Sequence, residues 1–127
     1  YPVSRAKLLK HVYSKFRLTD GDRIAWFWLK KEDFTRTGAE ADDTEGLIDH
    51  IRDIEPVVVA CVFEELEPGL TRISLRSKSD QVNVSEICGQ FGGGGHPAAA
   101  GARIPGTHLS VQRKVIGAVK RALKAVK

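Results

Sequence analysis

Several features that would define the class of this 127-residue chain at once are absent from it. Its apolar stretches fall far short of the roughly 18–20 residues of a membrane-spanning helix, so the sequence predicts no membrane segment. It has two cysteines, Cys61 and Cys88, both in apolar surroundings, and no CxxC or Cys/His spacing typical of a zinc site. The cysteines therefore indicate small core residues in a reducing compartment, and a cytoplasmic protein.

The common catalytic and metal-binding motifs are also missing. The four histidines show no HxH or HExxH pairing, no GxSxG elbow is present, and no Lys-Ser or Lys-Thr follows the glycines as in a P-loop. An acidic cluster surrounds Asp42 and Asp43, but Glu45, Asp49 and Asp53 would line one stripe of a helix, which is typical of a solvated face. The sequence thus predicts no metal site and no catalytic residue within this chain.

Acidic residues are absent from the last third of the chain. All sixteen lie in residues 1–86, which also hold thirteen basic residues and carry a net charge of −3. Residues 87–127 carry seven basic residues and no acidic one. This positive segment favours a phosphate-bearing partner. The alternative interpretation is that most of the seven form the solvated face of a C-terminal helix.

The most informative motif lies within that positive segment, where residues 91–101 read FGGGGHPAAAG. Four consecutive glycines are costly to order, because glycine loses more backbone freedom on folding than any other residue. Successive amides without a Cβ can form a concave nest that binds a phosphate, and His96 adds a donor or a general acid/base near neutral pH. The alternative is a tight connection between two packed elements, with His96 as an ordinary polar residue.

The order of helical and strand patterns predicts an α/β fold, a single small domain with a mixed β-sheet of about four to five strands and flanking helices. Residues 56–64 are almost all β-branched or apolar, which predicts a central strand buried on both faces. Residues 70–76 alternate in polarity, which predicts a half-buried strand antiparallel to it. The further predicted helices are 4–16, 30–39 (short, with a loop), 42–54, 83–91 and 109–126, and the further predicted strands are 24–29 and 98–104.

Three segments together give the chain a family resemblance. Residues 74–77 read SLRS, residues 82–85 read VNVS, and with residues 91–101 they resemble the C-terminal DHH-associated domain of DHH-family phosphoesterases. The DTEGL of residues 43–47 is similar to the branch of nanoRNase oligoribonucleases and phosphoadenosine-phosphate phosphatases, which includes exopolyphosphatase-related proteins. RecJ-type exonucleases and cyclic-dinucleotide phosphodiesterases share the domain more distantly. The resemblance is specific over about residues 43–104.

The resemblance implies that residues 1–127 are a substrate-binding domain and a fragment of a longer protein. In this family an N-terminal DHH domain binds two manganese ions through motifs that include Asp-His-His, which this sequence lacks. Arg76 would pair with a phosphate or stack on a base, and His96 would assist near the reacting phosphate. The substrate-binding residues that the resemblance implies are Arg76, Ser77, Gly93, Gly94, Gly95 and His96.

The implied function is the substrate-binding domain of a manganese-dependent phosphoesterase that hydrolyses short oligoribonucleotides or nucleotide phosphates. Its partners would be the DHH domain of the same chain and short single-stranded RNA or DNA, or a nucleotide phosphate. The alternative is a non-catalytic nucleic-acid-binding, nucleotide-binding or regulatory module. The sequence leaves open the oligomeric state and the choice among oligoribonucleotide, phosphoadenosine phosphate, cyclic dinucleotide and polyphosphate. In each case we predict that this chain alone does not hydrolyse phosphoesters.

Overall fold

The computed structural model describes residues 1–44 and 46–126. Five α-helices, one 3₁₀ turn and six strands follow one another along the described chain. In chain order they are α1 (Val3–Lys15), β1 (Arg17–Thr19), β2 (Ile24–Leu29), α2 (Lys31–Thr37), the 3₁₀ turn (Ala41–Thr44), α3 (Leu47–Arg52), β3 (Val59–Glu67), β4 (Leu70–Ser77), α4 (Val84–Gly89), β5 (Gly94–His96), β6 (Ala99–Pro105) and α5 (His108–Lys124).

The strands form one sheet in the order β1-β2-β3-β4-β6-β5. β2 and β3 run parallel, joined by a crossover through α2 and α3, whereas the other neighbouring pairs are antiparallel. The predicted mixed sheet is therefore confirmed, with slightly more strands than expected. The two strands that the sequence did not predict, β1 and β5, have three residues each and form the two edges.

Strand β3 separates two hydrophobic cores and confirms the predicted central strand. Residues 59–63 are all buried, and they alternate between the two faces of the sheet. Val59, Cys61 and Phe63 join the core under α4 and α5, whereas Ala60 and Val62 join the core under α1 and α3. Both cysteines are free and buried in the first core, and burial raises the pKa of the Cys88 thiol to about 11.

The second core covers only half of its side of the sheet. It contains residues of α1, α3, β2 and β3, but no described residue of β4, β5 or β6. On those strands the same face is lined by residues that are half-buried or exposed. We call this surface the open face; it comprises Arg72, Ser74 and Arg76 of β4 and Ala99, Gly101 and Arg103 of β6.

The predicted helix over residues 42–54 is the main error in the sequence-based fold. The structure divides it into the 3₁₀ turn Ala41–Thr44 and the short helix α3, Leu47–Arg52. Gly46 lies between them with φ of +81°, a left-handed conformation that glycine adopts easily and that interrupts a right-handed helix. Glu45, part of the predicted acidic stripe, lies outside the described residues.

The remaining predicted elements are confirmed within a few residues at their ends. Helix α4 begins after Asn83, whose Oδ1 accepts a hydrogen bond from the Glu86 amide at 3.1 Å. Helix α5 begins after Thr107, whose Oγ1 accepts from the Ser110 amide at 3.2 Å. Both contacts satisfy amides that have no partner within the helix. Among the residues that the structure describes, no helix is long and apolar enough to cross a membrane.

Candidate phosphate-binding face

The register of the last three strands aligns two of the predicted site residues. Arg76 of β4 lies opposite Ala99 of β6, and Ala99 lies opposite His96 of β5. Residues opposite one another in antiparallel strands share a face, and neighbouring strands lie about 4.8 Å apart. The register therefore places Arg76 and His96 in one row, with backbones roughly 10 Å apart. Ala99 is the residue of β6 that lies between them in this row.

The turn that carries His96 into this row is fixed by its backbone. Residues 97–98 connect β5 to β6. The carbonyl of Pro97 accepts a hydrogen bond from the Val84 amide at 2.9 Å, and the carbonyl of Ala98 accepts from the Ser77 amide at 3.0 Å. The tip is thus tied to the start of α4 and the end of β4, which holds exposed His96 at a defined position.

The first two glycines of the run end helix α4. The Gly92 amide donates to the carbonyl of Gly89 at 3.2 Å, and the Gly93 amide donates to the carbonyl of Cys88 at 2.9 Å. This pair of bonds is the Schellman pattern that satisfies the last carbonyls of a helix. The Gly93 amide is therefore already engaged, and the predicted three-amide nest at Gly93–Gly95 loses one of its members.

Two glycines of the run allow strand β5 to lie close against β6. A Cβ at Gly93 would collide with the carbonyl oxygen of Gly101, and a Cβ at Gly95 would lie 2.7 Å from the carbonyl oxygen of Ala99. Gly94 is different, because the nearest atom to a Cβ there would be Ser85 Oγ at 3.9 Å. The tight-connection interpretation therefore explains part of the run, and the space around Gly94 is open to a ligand.

The guanidinium of Arg76 makes one hydrogen bond within the described part of the chain. Its Nη1 donates to the carbonyl of Leu75 at 3.1 Å, and no carboxylate of a described residue forms an ion pair with it. Arg72, four residues away on the same face, differs because its Nη2 donates to both carboxylate oxygens of Glu64 at 3.0 and 3.1 Å. Since a guanidinium has five N–H donors, most of those on Arg76 are available to an oxyanion.

Ser77, a predicted substrate-binding residue, does not join this row. The alternation of β4 turns it to the helix-covered face, where it is 8% exposed. Its Oγ donates to the carbonyl of Ser79 at 3.0 Å and accepts from the Ser79 amide at 3.2 Å. The structure thus places Ser77 on the side of the sheet opposite Arg76, where it shapes the turn after β4.

A cavity that the sequence did not indicate adjoins Arg76. It has a volume of about 210 Å³ and lies where the open face meets α3. Its polar lining includes Glu64, Arg72 and Ser74, and its apolar lining includes Leu47 and Val62. The alternation along β4 could have indicated part of this lining, because Arg72 and Ser74 lie on the same face of the strand as Arg76. The Glu64 contribution required the pairing of β3 with β4, which the sequence pattern does not specify.

The basic residues of the C-terminal segment are mostly remote from this face. Arg103 lies on the open face, opposite Arg72. The other described basic residues of the segment are exposed on α5, which packs on the opposite side of the sheet. The alternative that most of this charge is a solvated helix face is therefore confirmed. Among the residues that the structure describes, no group of three or more His, Cys, Asp or Glu could hold a metal ion.

Comparisons with known proteins agree with the fold and the motifs. The family model described as the DHHA1 domain matches residues 9–127. The chain is 36% identical over 123 residues to the bifunctional oligoribonuclease and PAP phosphatase NrnA of Thermus thermophilus, covering 96% of this chain and 36% of that protein. It is 30% identical over 102 residues to the probable bifunctional oligoribonuclease and PAP phosphatase NrnA of Streptococcus mutans, covering 80% of this chain and 32% of that protein.

A solved structure supports the same assignment. An exopolyphosphatase-related protein from Bacteroides fragilis is 26% identical, with a TM-score of 0.86, over 95% of this chain and 35% of that one. The chain thus spans about a third of the length of the two NrnA relatives and of this structure. The resemblance found in the sequence is confirmed, and the chain belongs to the DHHA1 domain family.

Proposed function

We propose that this chain is the substrate-binding domain of a phosphoesterase that hydrolyses short oligoribonucleotides or nucleotide phosphates. The observation that carries the proposal is the row from Arg76 to His96. It aligns a guanidinium that forms no ion pair within the described part of the chain with an exposed imidazole, beside the open face. The substrate class is supported by the relatives named bifunctional oligoribonuclease and PAP phosphatase, which match 80% and 96% of this chain.

The residues of the row would act on the phosphate of the substrate. Arg76 would hold it with charge-assisted hydrogen bonds, which are shorter and stronger than neutral ones. His96 would donate a further hydrogen bond from its ring, in either its neutral or its protonated form. Gly94 and Gly95 would let the phosphate approach the β5 backbone without meeting a side chain. Neutralising the phosphate and fixing its orientation would lower the barrier to attack by water.

The chemical step would depend on a DHH domain in the same chain, which is the partner that we propose. Two manganese ions bound there would supply an activated water at neutral pH. The residues of this chain would bind and orient the phosphoester for attack by that water. A cytoplasmic location is part of the proposal, supported by the two free buried thiols.

The test is turnover by the longer protein that carries both domains, with manganese, on four substrates: a diribonucleotide, phosphoadenosine phosphate, a cyclic dinucleotide and inorganic polyphosphate. We expect hydrolysis of the first two, and none by the 127-residue chain alone. Manganese-dependent turnover by the isolated chain, surviving further purification, would contradict the proposal. Tight binding without turnover by the longer protein would favour the non-catalytic nucleotide-binding module.

A further inference from the structure

We propose that Ser85 is a positioning residue, which holds His96 in the row of Arg76 without itself touching the substrate. Ser85 is the second residue of α4, and its Oγ donates a hydrogen bond to the carbonyl of Gly95 at 3.2 Å. Since a fixed imidazole matters only if His96 binds the phosphate, this role of Ser85 rests on the proposed function. The VNVS of residues 82–85, which the proposed site does not otherwise use, thereby acquires a role in the site.

The backbone that carries His96 has little rigidity of its own. Gly94 and Gly95 precede it in β5, and glycine, which has no Cβ, adopts a wider range of backbone conformations than other residues. Strand β5 is also an edge strand of three residues, whose neighbour in the sheet is β6. A short glycine-rich edge strand has little preference for the extended state. The position of His96 therefore depends on contacts that other elements make with this backbone.

Two donors at the start of α4 hold the backbone on either side of His96. The Ser85 Oγ binds the carbonyl of the preceding residue, Gly95, and the Val84 amide binds the carbonyl of the following residue, Pro97, at 2.9 Å. The Gly95 carbonyl belongs to the peptide group that ends at the His96 Cα. Because a peptide group is planar, a hydrogen bond that orients this carbonyl also orients the bond from the His96 nitrogen to its Cα.

The Ser85 hydroxyl serves β5 and is not needed to begin α4. Asn83 already caps the helix, since its Oδ1 accepts from the Glu86 amide at 3.1 Å. The half-buried Ser85 instead donates across to the strand. Replacing it by alanine, the best helix former, should leave α4 intact and remove one constraint on β5. Ser85 Oγ also borders the open space at Gly94, so the experiment must separate positioning of His96 from direct contact with the phosphate.

A double-mutant cycle in the longer protein, with a diribonucleotide and manganese, makes that separation. Ser85→Ala should lower kcat/KM about threefold to tenfold, the effect of one net hydrogen bond. In a His96→Ala background, Ser85→Ala should have no further effect, because no imidazole is left to position. Equal losses in both backgrounds would mean that Ser85 contacts the substrate itself, which overturns the positioning role and leaves the proposed function standing. Unchanged kinetics of Ser85→Ala also overturn the role, whereas unchanged kinetics of His96→Ala defeat the proposed site as well.

NMR of the 127-residue chain gives a second readout that does not depend on turnover. In Ser85→Ala the ring signals of His96 should shift or broaden, and they should respond more weakly to added inorganic phosphate, while the urea unfolding midpoint stays the same. Ser14→Ala is the matched control, because Ser14 Oγ also donates to a carbonyl, that of Lys10 at 2.8 Å, but within α1. It should leave the His96 signals unchanged. His96 signals in Ser85→Ala that match those of the unmodified chain overturn the positioning role.

Discussion

The glycine run can be tested by one pair of substitutions, because adjacent glycines have opposite surroundings. A Cβ at Gly93 would collide with the Gly101 carbonyl oxygen and lie 2.6 Å from Ala102 Cβ. Neither is the end of a flexible side chain, so β5 would have to move away from β6. We expect Gly93→Ala to destabilise the domain by about 1–3 kcal/mol, the usual range for overpacking.

Gly94→Ala is the matched control, since its new methyl group would have Ser85 Oγ at 3.9 Å as its nearest neighbour. This is an ordinary contact, and we expect a change in unfolding free energy within about 0.5 kcal/mol. Urea unfolding of both variants measures the difference. If Gly93→Ala is as stable as the unmodified chain, or both variants lose equal stability, the packing account of the run is wrong.

The same pair separates structure from binding. A methyl group at Gly94 would stand in the space that we propose for the phosphate, so Gly94→Ala should weaken phosphate binding at unchanged stability. Gly93→Ala should weaken binding only as far as it displaces β5 and its His96. A Gly94→Ala variant that is stable and binds phosphate normally would remove this glycine from the proposed site.

Three further predictions concern the site, the core and the acid response. In the longer protein, Arg76→Ala should remove one or two charge-assisted hydrogen bonds of about 1.5–3 kcal/mol each, so kcat/KM should fall tenfold to several hundredfold. His96→Ala should lower kcat/KM at least as much. Unchanged kinetics in either variant would exclude that residue from the proposed site. Val59→Ala should lower the unfolding free energy by about 1–3 kcal/mol through an unfilled core, measured by urea unfolding, since Val59 is fully buried. The pKa of Glu65 is held below its usual value, first by the Lys31 amide, which donates to the carboxylate at 3.0 Å, and then by His108, which donates at 2.9 Å. The ionised Glu65 carboxylate therefore stabilises the fold above its usual pKa, and this stabilisation is lost as pH falls through the lowered pKa of the folded state. Glu65→Gln should therefore lose less stability between pH 7 and pH 3 than the unmodified chain, and an identical acid response would contradict this.

The sequence predicted the central elements better than the edges. A continuous apolar run predicts strand β3, because both of its faces are buried in a core. Alternating polarity predicts β4, because one of its faces is buried. The edge strand β5 consists of two glycines and His96, residues with little strand propensity, and exists through its pairing with β6. Such pairing joins residues through the tertiary structure, so a local pattern does not report it.

The placement of the candidate site residues could likewise be read from the sequence only in part. The family motif identified Arg76 and His96, and the register of β4, β6 and β5 aligns them. The motif also included Ser77, since a motif records neighbours in sequence without recording that alternate strand residues face opposite sides. The cavity beside Arg76 depends on β3 and α3, which meet β4 only in the folded chain. Residue types were readable from the sequence, whereas their shared face required the sheet register.

The two interpretations of the glycine run, a tight connection and a phosphate-binding loop, are therefore compatible. Gly93 ends α4 and, with Gly95, lets β5 approach β6 more closely than any side chain would permit. That close approach is what brings His96 to the strand position opposite Ala99 and so into the row of Arg76. A side chain at Gly93 would not occupy the proposed phosphate position, yet it would displace His96, which we propose to bind the phosphate there. The packing role of these glycines is thus the means by which the chain positions its imidazole, and substitutions in the run should affect binding through geometry at Gly93 and through direct obstruction at Gly94.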